Sequence, residues 1–354
     1  MNAGGRETHA ATARKAGLTY VTDSEQGITR KRVGGGFAYY RPDGALIKDR
    51  AERKRINSLA IPPAWTDVWI CPDPGGHMQV TARDAKGRKQ YRYHPRFRAR
   101  RDQSKFGRML TFSAALPKLR EQIEKDLQPP GLSRRKLLAT LVQLLDRTLI
   151  RVGNDEYTKA NRSYGLTTLR QRHAEVEGHT VRFEFKGKSG VPHSVTITDR
   201  RLAAIVQQLQ DLPGQQLFQF IDEDGKRQSI DSDDVNAYLR EVTGLNVTAK
   251  DFRTWSGTML AARALREMGP GAGEREVKRN INRALEQVAS RLRNTRTVCR
   301  KYYVHPAILD AYQRGIAAPA PPQPPDERKS RPSAALRREE ISVLQFLQQE
   351  IARR

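Results

Sequence analysis

Residues 179–198 read HTVRFEFKGKSGVPHSVTIT and hold the clearest strand pattern in the second half of the chain. Apolar side chains alternate with polar ones on both sides of a short gap: Val181, Phe183 and Phe185 before it, Val195 and Ile197 after it. An alternation of period two that is interrupted by a turn predicts a β-hairpin, with Lys188 near its tip.

Helical periodicity surrounds this hairpin over residues 106–316. The clearest segments are LPKLREQIEKDL (116–127), SRRKLLATLVQLLDRTLIRVG (133–153) and DDVNAYLREVTG (233–244). Apolar residues that recur three and four positions apart favour amphipathic helices. Residues 106–316 are therefore predicted to form a mainly α-helical domain that carries one short hairpin.

Residues 19–105 have a different texture. Short apolar runs alternate there with Gly, Pro and Asp, as in GGGFAYYRPDGALI (34–47). This punctuation predicts a small, twisted antiparallel sheet. A small β-rich N-terminal domain followed by a larger, mainly helical domain places the chain in the α+β class.

The remaining segments are polar or rich in proline. Residues 1–18 are predicted to be a disordered basic tail, residues 317–334 a Pro-rich linker and residues 335–354 a C-terminal amphipathic helix. No apolar stretch approaches the ~20 residues that span a bilayer. The N-terminus also lacks the apolar segment of a secretory signal, so a soluble cytoplasmic protein without membrane contact is expected.

The chain of 354 residues carries 64 Lys and Arg against 39 Asp and Glu, a formal charge of +25. Such an excess, spread over most of the chain, predicts a polyanionic partner and argues against an ordinary metabolic enzyme. Nucleic acid is the first candidate, with ribosome-like or membrane-surface roles as alternatives. Cys71 and Cys299 can build neither a disulfide framework nor a zinc site, so no metal is expected, and the compartment is expected to be reducing.

Three motifs outside the hairpin carry residues suited to phosphate chemistry. In chain order they are RVGNDEY (151–157), KDFRTW (250–255) and CRKYYVHP (299–306). Arg151 follows an apolar helix, where its ordinary interpretation is a surface ion pair. Arg253 lies between two aromatic residues, where it either pairs with Asp251 in the core or binds a phosphate.

The adjacent tyrosines of the third motif are predicted to face different ways. Residues at i, i+4, i+7, i+11 and i+14 share one helix face, and here they are Val298, Tyr302, His305, Leu309 and Tyr312. Tyr302 is therefore predicted to pack in the core. Tyr303 lies about 100° round the axis, where its hydroxyl can reach a ligand. Pro306 is expected to kink or restart the helix.

Taken in order, the motifs RVGNDEY, YGLTTLRQRH, FKGKSG, KDFRTW and CRKYYVHP resemble those of the type IB DNA topoisomerases of the poxviral and bacterial kind, over residues 20–315. The resemblance implies that Tyr303 is the nucleophile and that Lys188 is the general acid. It also implies that Arg151 and Arg253 clamp the phosphate.

The fifth catalytic position of the family is a histidine in the poxviral enzymes and falls on Asn294 here, in a segment that lacks the usual glycine. An asparagine amide can donate a hydrogen bond to a phosphate oxygen, but it brings no charge. The implied activity is relaxation of supercoiled duplex DNA through a 3′-phosphotyrosyl intermediate, without ATP, metal or another cofactor. The implied partner is double-stranded DNA, which the enzyme is expected to clamp as a monomer at the nucleoid.

A second set of residues is predicted to contact DNA outside the catalytic centre. AKGRKQYRYH (85–94) is predicted to be one strand of a two-stranded ribbon. Such a ribbon fits the major groove, where glutamine pairs with adenine and arginine or lysine with guanine. The ordinary interpretation is a solvated basic strand with buried tyrosines. The predicted contacts are Arg88, Lys89, Gln90, Tyr91 and Tyr93. The family resemblance supports Gln90, Tyr91 and Tyr93 among these, and it also implies a DNA contact for Tyr157.

Two other functions fit part of this pattern. A tyrosine recombinase shares the Arg, Lys, Arg and Tyr chemistry, but it normally has an all-helical first domain and a His-x-x-Arg motif. Here Lys250 occupies the position three residues before Arg253, and the first domain is predicted to be β-rich. A non-catalytic DNA-binding protein would share the charge but not the ordered motifs.

Overall fold

The computed structural model describes residues 9–321 and 332–353, and it gives only the main chain of residues 103, 104 and 332–337. A β-rich N-terminal part and a mainly helical remainder confirm the predicted α+β fold. No helix in these described ranges is both long and apolar enough to cross a membrane.

The chain divides into two compact units, residues 1–107 and residues 108–354. This division falls within the long helix α3 (Pro95–Asp126). The boundary predicted from the sequence, between residues 105 and 106, falls within the same helix.

The first unit is built on an antiparallel sheet, as the punctuation of its sequence predicts. Its strands are β1 (Ile28–Val33), β2 (Gly36–Tyr40), β3 (Thr66–Ile70), β4 (Met78–Arg83) and β5 (Lys89–Tyr93). Their order across the sheet is β2-β1-β3-β4-β5, so β5 lies at an edge. Ile56 of α2 (Arg50–Ser58) joins Ile28, Ile70 and Val80 in one buried apolar cluster, which packs this helix on the sheet.

Residues 9–18 contradict the predicted tail. Helix α1 (His9–Lys15) occupies most of this segment, and Ala13 is completely buried. Ala13, Leu18 and Phe97 form a small apolar cluster. The tail prediction was wrong for these residues because a few small contacts order the segment without a long apolar run. Residues 1–8 of the predicted tail lie outside the described part of the chain.

Helices make up most of the second unit, and α3, α4 and α7 coincide with the segments of strongest helical periodicity. The helices after α3 are α4 (Arg134–Thr148), α5 (Asp155–Asn161), α6 (Arg200–Gln210), α7 (Ser232–Thr243), α8 (Ala249–Met268), α9 (Glu274–Leu292), α10 (Arg296–Tyr302), α11 (Pro306–Gln313) and α12 (Pro332–Ala352). Ser133 and Asp231 cap the N-termini of α4 and α7 through their side chains. Gly244 ends α7 in the left-handed region, which favours glycine.

The predicted hairpin is confirmed within this helical unit. Strands β7 (Thr180–Lys186) and β8 (Pro192–Thr198) pair antiparallel, and β6 (Ala174–Glu177) pairs with the other edge of β7. Alternate side chains of β7 are buried, as a period of two requires. Lys188 is exposed in the turn between β7 and β8. A further short pair, β9 (Gln219–Ile221) and β10 (Arg227–Ser229), completes the strands of the described residues.

Helix α12 begins at Pro332, where the sequence places its start at residue 335. Two carboxylates, the buried Glu339 and the partly buried Glu340, attach it to the rest of the second unit. Glu339 pairs with Arg266 at 2.7 Å, and Glu340 pairs with Arg120 at 2.6 Å. The side chain of Glu340 also accepts a hydrogen bond of 3.2 Å from Trp255 Nε1 on α8. Residues 322–331 of the predicted linker lie outside the described residues.

Candidate active site

Arg253 is a buried cation in the second turn of α8, with only 4% of its surface exposed. Its Nη1 donates to the carbonyl of Leu149, and its Nη2 donates to the carbonyl of Leu292 at 2.6 Å. Its Nε is buried without a hydrogen-bond partner. Among the described residues, no carboxylate pairs with this guanidinium. Burial and, secondly, the nearby charge of Arg151 lower the pKa of Arg253.

Asp251 does not neutralise Arg253, so the interpretation of the KDFRTW motif as a core ion pair was wrong. The Asp251 carboxylate accepts hydrogen bonds from the backbone N–H and the hydroxyl of Thr248, at 2.7 and 3.0 Å. These bonds form the capping box at the start of α8. The charge of this buried guanidinium is therefore not balanced by its neighbouring carboxylate.

Tyr303 lies against Arg253. The guanidinium carbon of Arg253 is 5.3 Å from the centroid of the Tyr303 ring, a distance typical of a cation–π contact. The Tyr303 carbonyl accepts a hydrogen bond of 3.2 Å from the Thr258 hydroxyl. A Cβ at Gly257 would lie 2.7 Å from that carbonyl oxygen. Glycine at this position of α8 therefore allows the tyrosine's main chain to approach the helix closely.

The predicted burial of the two tyrosines is wrong. Tyr302 is 38% exposed and Tyr303 is 9% exposed, whereas the shared helix face predicts Tyr302 in the core. Helix α10 ends at Tyr302, and Pro306 starts α11 as its first residue. The stripe of residues therefore spans two helices, so its single phase breaks after Tyr302. The two tyrosines still lie in different environments, but the reason is that Tyr303 packs beside Arg253 and not that they lie on different faces of one helix.

Arg151 lies in the loop after α4, which ends at Leu149 in the left-handed region. The Arg151 carbonyl accepts a hydrogen bond of 2.9 Å from the N–H of Leu166. A Cβ at Gly165 would lie 2.6 Å from the same carbonyl. The YGLTTLRQRH motif therefore holds the loop that carries Arg151, and its glycine permits the close approach. The Arg151 side chain is partly exposed and lies close enough to Arg253 to act on its pKa.

Lys188 stands at the exposed turn of the β7–β8 hairpin. Within the described ranges its ammonium group has no hydrogen bond or ion pair, and no contact joins it to Tyr303. The preceding residue, Gly187, packs on the ring of His193, since a Cβ there would lie 2.5 Å from His193 Nε2. His193 also stacks on Phe185 at a centroid distance of 4.8 Å. These contacts fix the base of the turn, and the lysine above it is exposed.

His193 shows that the basic side chains converge. Burial, and after it the charges of Arg151, Arg293 and Arg253, lower the pKa of His193 to about 4. The imidazole is therefore neutral near pH 7. These arginines come from the loop after α4, from the end of α9 and from α8, so three separate segments direct positive charge to one place.

Asn294 follows the left-handed residue that ends α9. Its backbone N–H donates to the carbonyl of Ala289 at 2.9 Å, and its side-chain Oδ1 accepts a hydrogen bond of 3.1 Å from the N–H of Thr295. The amide side chain is partly exposed, two residues beyond the Leu292 carbonyl that binds Arg253. Asn294, the fifth catalytic position predicted from the sequence, therefore lies close in the chain to the carbonyl that holds Arg253.

The predicted DNA-contacting strand of the first unit is the edge strand β5. Asp84, in the turn before it, accepts hydrogen bonds from Arg88 Nε at 2.8 Å and from Gln90 Nε2 at 2.9 Å. The pKa of Asp84 is lowered to about 2, chiefly by the hydrogen bond from Arg88. The Lys89 ammonium lies 2.5 Å from the carboxylate of Asp23. The polar groups of this hairpin therefore have partners within their own unit.

The tyrosines of β5 form a short stack on the other side of the strand. The rings of Tyr91 and Tyr93 are parallel, with centroids 6.0 Å apart. Tyr91 is 46% exposed, so the interpretation of both tyrosines as buried is wrong for this residue. Tyr157 lies on α5 in the second unit, where Asn154 caps the helix by accepting from the N–H of Tyr157 at 2.8 Å. Its side chain is half-buried.

Sequence reasoning missed His193, Gly257 and Thr258. A glycine inside the long helix α8 was an available signal, because such a residue destabilises a helix unless another backbone approaches it. Thr258, completely buried, donates to the Tyr303 carbonyl and accepts from the N–H of His305 at 3.0 Å. The role of His193 had no sequence signal beyond its place five residues after Lys188.

Comparison with known proteins identifies the family. Residues 94–320, more than half of the chain, match the eukaryotic DNA topoisomerase I catalytic core. Residues 36–84 match the N-terminal domain of bacterial DNA topoisomerase IB.

Individual relatives agree with the family matches. DNA topoisomerase 1B of Acanthamoeba polyphaga mimivirus is 34% identical over 296 residues, which cover 81% of this chain and 88% of the viral protein. DNA topoisomerase 1 of Mycosarcoma maydis is 25% identical over 57% of this chain and 22% of its own length. DNA topoisomerase 1B of vaccinia virus, strain Copenhagen, is 23% identical over 40% of this chain and 46% of its own length. The chain therefore belongs to the type IB DNA topoisomerases, a family of DNA-binding isomerases.

Proposed function

We propose that this enzyme relaxes supercoiled duplex DNA by cutting one strand transiently, with Tyr303 as the nucleophile. The observation that carries the proposal is the buried guanidinium of Arg253, which lacks a carboxylate partner in the described chain and lies beside the Tyr303 ring. Burial of a cation without a partner anion destabilises the folded protein by an amount on the order of several kcal/mol. A backbone phosphate supplies that anion and an acceptor for the unpaired Nε.

In the cleavage step the Tyr303 hydroxyl releases its proton to water, and its oxygen attacks phosphorus while the bond from phosphorus to the 5′ oxygen breaks. The transition state gathers negative charge on the nonbridging oxygens. The guanidiniums of Arg151 and Arg253 offer planar pairs of donors to these oxygens, which stabilise that charge. The charge stabilisation that metal ions provide in other phosphoryl transfers is assigned here to side chains, so the reaction needs no added metal.

The departing 5′ oxygen requires a proton, since an alkoxide is a poor leaving group. We assign this proton to Lys188, whose exposed turn and unengaged ammonium group suit a residue that moves onto bound DNA. The products are a 3′-phosphotyrosyl link and a free 5′ hydroxyl. Because the link retains the free energy of the phosphodiester, the 5′ hydroxyl can reseal the strand without ATP, and rotation before resealing releases supercoils.

The remaining predicted residues are assigned to DNA contacts. Asn294 donates its side-chain amide to a nonbridging oxygen of the same phosphate. The β4–β5 hairpin enters the major groove, and Tyr157 contacts the strand near the reacting phosphate. The contacts of the hairpin come from Arg88, Lys89, Gln90, Tyr91 and Tyr93.

The enzyme is proposed to act as a monomer that clamps one duplex, in the cytoplasm at the nucleoid. The formal charge of +25 supports a polyanion as the constant partner. The match of residues 36–84 to a bacterial N-terminal domain supports a place in the bacterial branch of the family.

Relaxation of plasmid DNA in excess EDTA without ATP tests the proposal, on both negatively and positively supercoiled substrates. The expected product is a ladder of relaxed topoisomers with the wild-type enzyme and with Tyr302→Phe. Tyr303→Phe is expected to give neither relaxation nor a covalent complex, while it binds DNA as well as the wild type. Equal loss of activity in the two variants, or a strict requirement for metal or ATP, would contradict the proposal. A recombinase would give no ladder of topoisomers on a plasmid that lacks its recombination sites.

A further inference from the structure

Helix α9 ends at an arginine in a strained backbone conformation. Arg293 has φ 47° and ψ 63°, in the left-handed region that favours glycine. Its N–H donates to the carbonyl of Ser290 at 3.2 Å, which closes the helix. A long cationic side chain contributes nothing to this cap, so the backbone alone does not explain why arginine occupies the position.

The position lies between two parts of the candidate active site. The preceding residue, Leu292, uses its carbonyl to accept the 2.6 Å hydrogen bond from Arg253 Nη2. The following residue is Asn294. Arg293 is therefore attached directly to the main chain that holds the buried arginine, in a part of the site where the side chain at position 294 carries no charge.

The Arg293 guanidinium is exposed and, within the described residues, it has neither a hydrogen bond nor an ion pair. Nearby basic residues differ in this respect. Arg291 Nη2 donates to the carbonyl of Arg147 at 3.3 Å, and Arg296 Nε lies 3.1 Å from the Glu286 carboxylate. The charge of Arg293 instead reaches the buried ring of His193, where it acts together with Arg151 and Arg253.

We propose that Arg293 is a third guanidinium of the catalytic centre, which contacts a nonbridging oxygen of the reacting phosphate and supplies the positive charge that Asn294 lacks. The proposal rests on the proposed cleavage by Tyr303. A guanidinium contributes a charge-assisted hydrogen bond to a phosphate oxygen, whereas a neutral amide contributes a weaker one. Such a contact accelerates cleavage because the oxygens carry more negative charge in the transition state than in the bound substrate.

The backbone conformation makes a clean test possible. Arg293→Gly removes the side chain and suits the left-handed conformation, so the folded protein is expected to be as stable as the wild type or more stable. Arg293→Asn is a second neutral variant, since asparagine also tolerates this conformation. Arg293→Lys keeps a charge without the planar fork. Arg291→Ala is the matched control, because it removes an exposed arginine two residues away.

The experiment measures single-turnover formation of the covalent complex on supercoiled plasmid, trapped with detergent, at increasing enzyme concentration up to saturation. At saturation we expect Arg293→Gly and Arg293→Asn to cleave at least 10-fold more slowly than the wild type. The cleavage rate of Arg293→Lys is expected to lie between the wild-type rate and the rates of these two neutral variants. Arg291→Ala is expected to cleave within twofold of the wild-type rate. The midpoint of thermal unfolding is expected to be unchanged or higher for Arg293→Gly.

Three results would overturn the proposal: wild-type cleavage by both neutral variants, a defect that disappears at saturation, or a defect confined to variants that unfold at lower temperature. The first denies any role, the second limits Arg293 to DNA binding, and the third makes its role structural. Failure of the proposed function gives a different pattern. In that case the wild-type enzyme forms no covalent complex, or Tyr303→Phe still forms one.

Discussion

Arg88 and Lys89 of the β4–β5 hairpin are paired with carboxylates, whereas within the described residues Arg253, beside Tyr303, and Lys188 are not. Arg88 and Lys89 lie 2.7 and 2.5 Å from the carboxylates of Asp84 and Asp23. Arg253 and Lys188 have no such partner in the described residues. A cation that is paired with a carboxylate must give up that anion to bind a phosphate, so its net gain in binding free energy is small. A cation without a carboxylate partner keeps the full gain in binding free energy. This difference agrees with the proposal that the hairpin selects among DNA sequences while the second unit holds the reacting phosphate.

Two lysines, each in a hairpin, give the largest expected contrast. Lys188→Ala should slow cleavage by about 10²- to 10⁴-fold, the range for a positioned general acid. Lys89→Ala, the matched change in the β4–β5 hairpin, should slow cleavage by less than about threefold at saturating DNA, because its ammonium is engaged by Asp23 and touches no reacting atom. Single-turnover cleavage measures both effects. Comparable losses in the two variants would remove the contrast.

A change of leaving group separates proton donation by Lys188 from phosphate binding. Sulfur in place of the bridging 5′ oxygen leaves as a thiolate, which needs no proton. Lys188→Ala should cleave this substrate at nearly the wild-type rate, whereas Arg151→Ala and Arg253→Ala should remain slow because they lose charge stabilisation. If sulfur restores no variant, Lys188 binds the phosphate and the acid lies elsewhere.

The pH dependence of stability tests whether His193 is held neutral in the folded protein, by burial first and by the nearby arginines second. His193 has a folded-state pKa of about 4, below its ordinary value of 6.5. As the pH falls below 6.5 the unfolded chain binds a proton that the folded protein does not. Stability is therefore lost between pH 6.5 and pH 4, by about 3 kcal/mol from this residue, with no further loss from it below pH 4.

Urea unfolding of the wild type and of His193→Asn, at pH 7 and at pH 4.5, isolates this contribution, since the other histidines are common to both proteins. The wild type should lose more stability than the variant on acidification. Equal losses would show that neither burial nor the arginines hold His193 neutral in the folded protein.

Asp84 allows the pairing in the first hairpin to be broken. Because its pKa is about 2, it is ionised at neutral pH and holds both Arg88 and Gln90. Asp84→Asn should reduce the difference in cleavage between preferred and other sites by about 10-fold, as freed side chains bind any phosphate. Gln90→Ala should cause a similar loss of preference. Mapping of cleavage sites on a plasmid measures it, and an unchanged map would refute a selective role for the hairpin.

The smallest expected effect concerns salt. The logarithm of the non-covalent binding constant should fall steeply with that of salt concentration, by roughly 0.9 per phosphate neutralised. Lys89→Ala should reduce this slope by at most about 1, while Tyr91→Ala should leave it unchanged. Binding of the cleavage-deficient Tyr303→Phe protein to duplex DNA, titrated over a range of salt, provides the measurement. A flat response in the parent would count against phosphate clamping altogether.

Regular elements and the hairpin could be predicted from the sequence because their patterns are local. Alternation in residues 179–198 and helical periodicity in residues 133–153 each depend on burial of one face. Helix α1 could not be predicted in this way, because its burial depends on Phe97, far along the chain. The prediction that Tyr302 is buried also failed, since assigning it to a helix face requires knowing where α10 ends.

The identities of the candidate site residues came from ordered motifs, but their supports did not. Arg253 is held by the carbonyls of Leu149 and Leu292, and main-chain groups leave no mark in residue type. The lowered pKa of His193 likewise depends on burial and on charges from three distant segments. These features arise from tertiary contacts, which a pattern of neighbouring residues does not contain.

The position of the covalent link tests the central claim most directly. Trapped complex on plasmid DNA, digested with nuclease and then with trypsin, yields the peptide 302–314, because cleavage follows Lys301 and Arg314. Fragment masses distinguish its first two residues. A nucleotide on Tyr303 is the expected result, since within the described residues its ring, and not that of Tyr302, lies against the buried Arg253. A nucleotide on Tyr302, or on neither tyrosine, would contradict the account.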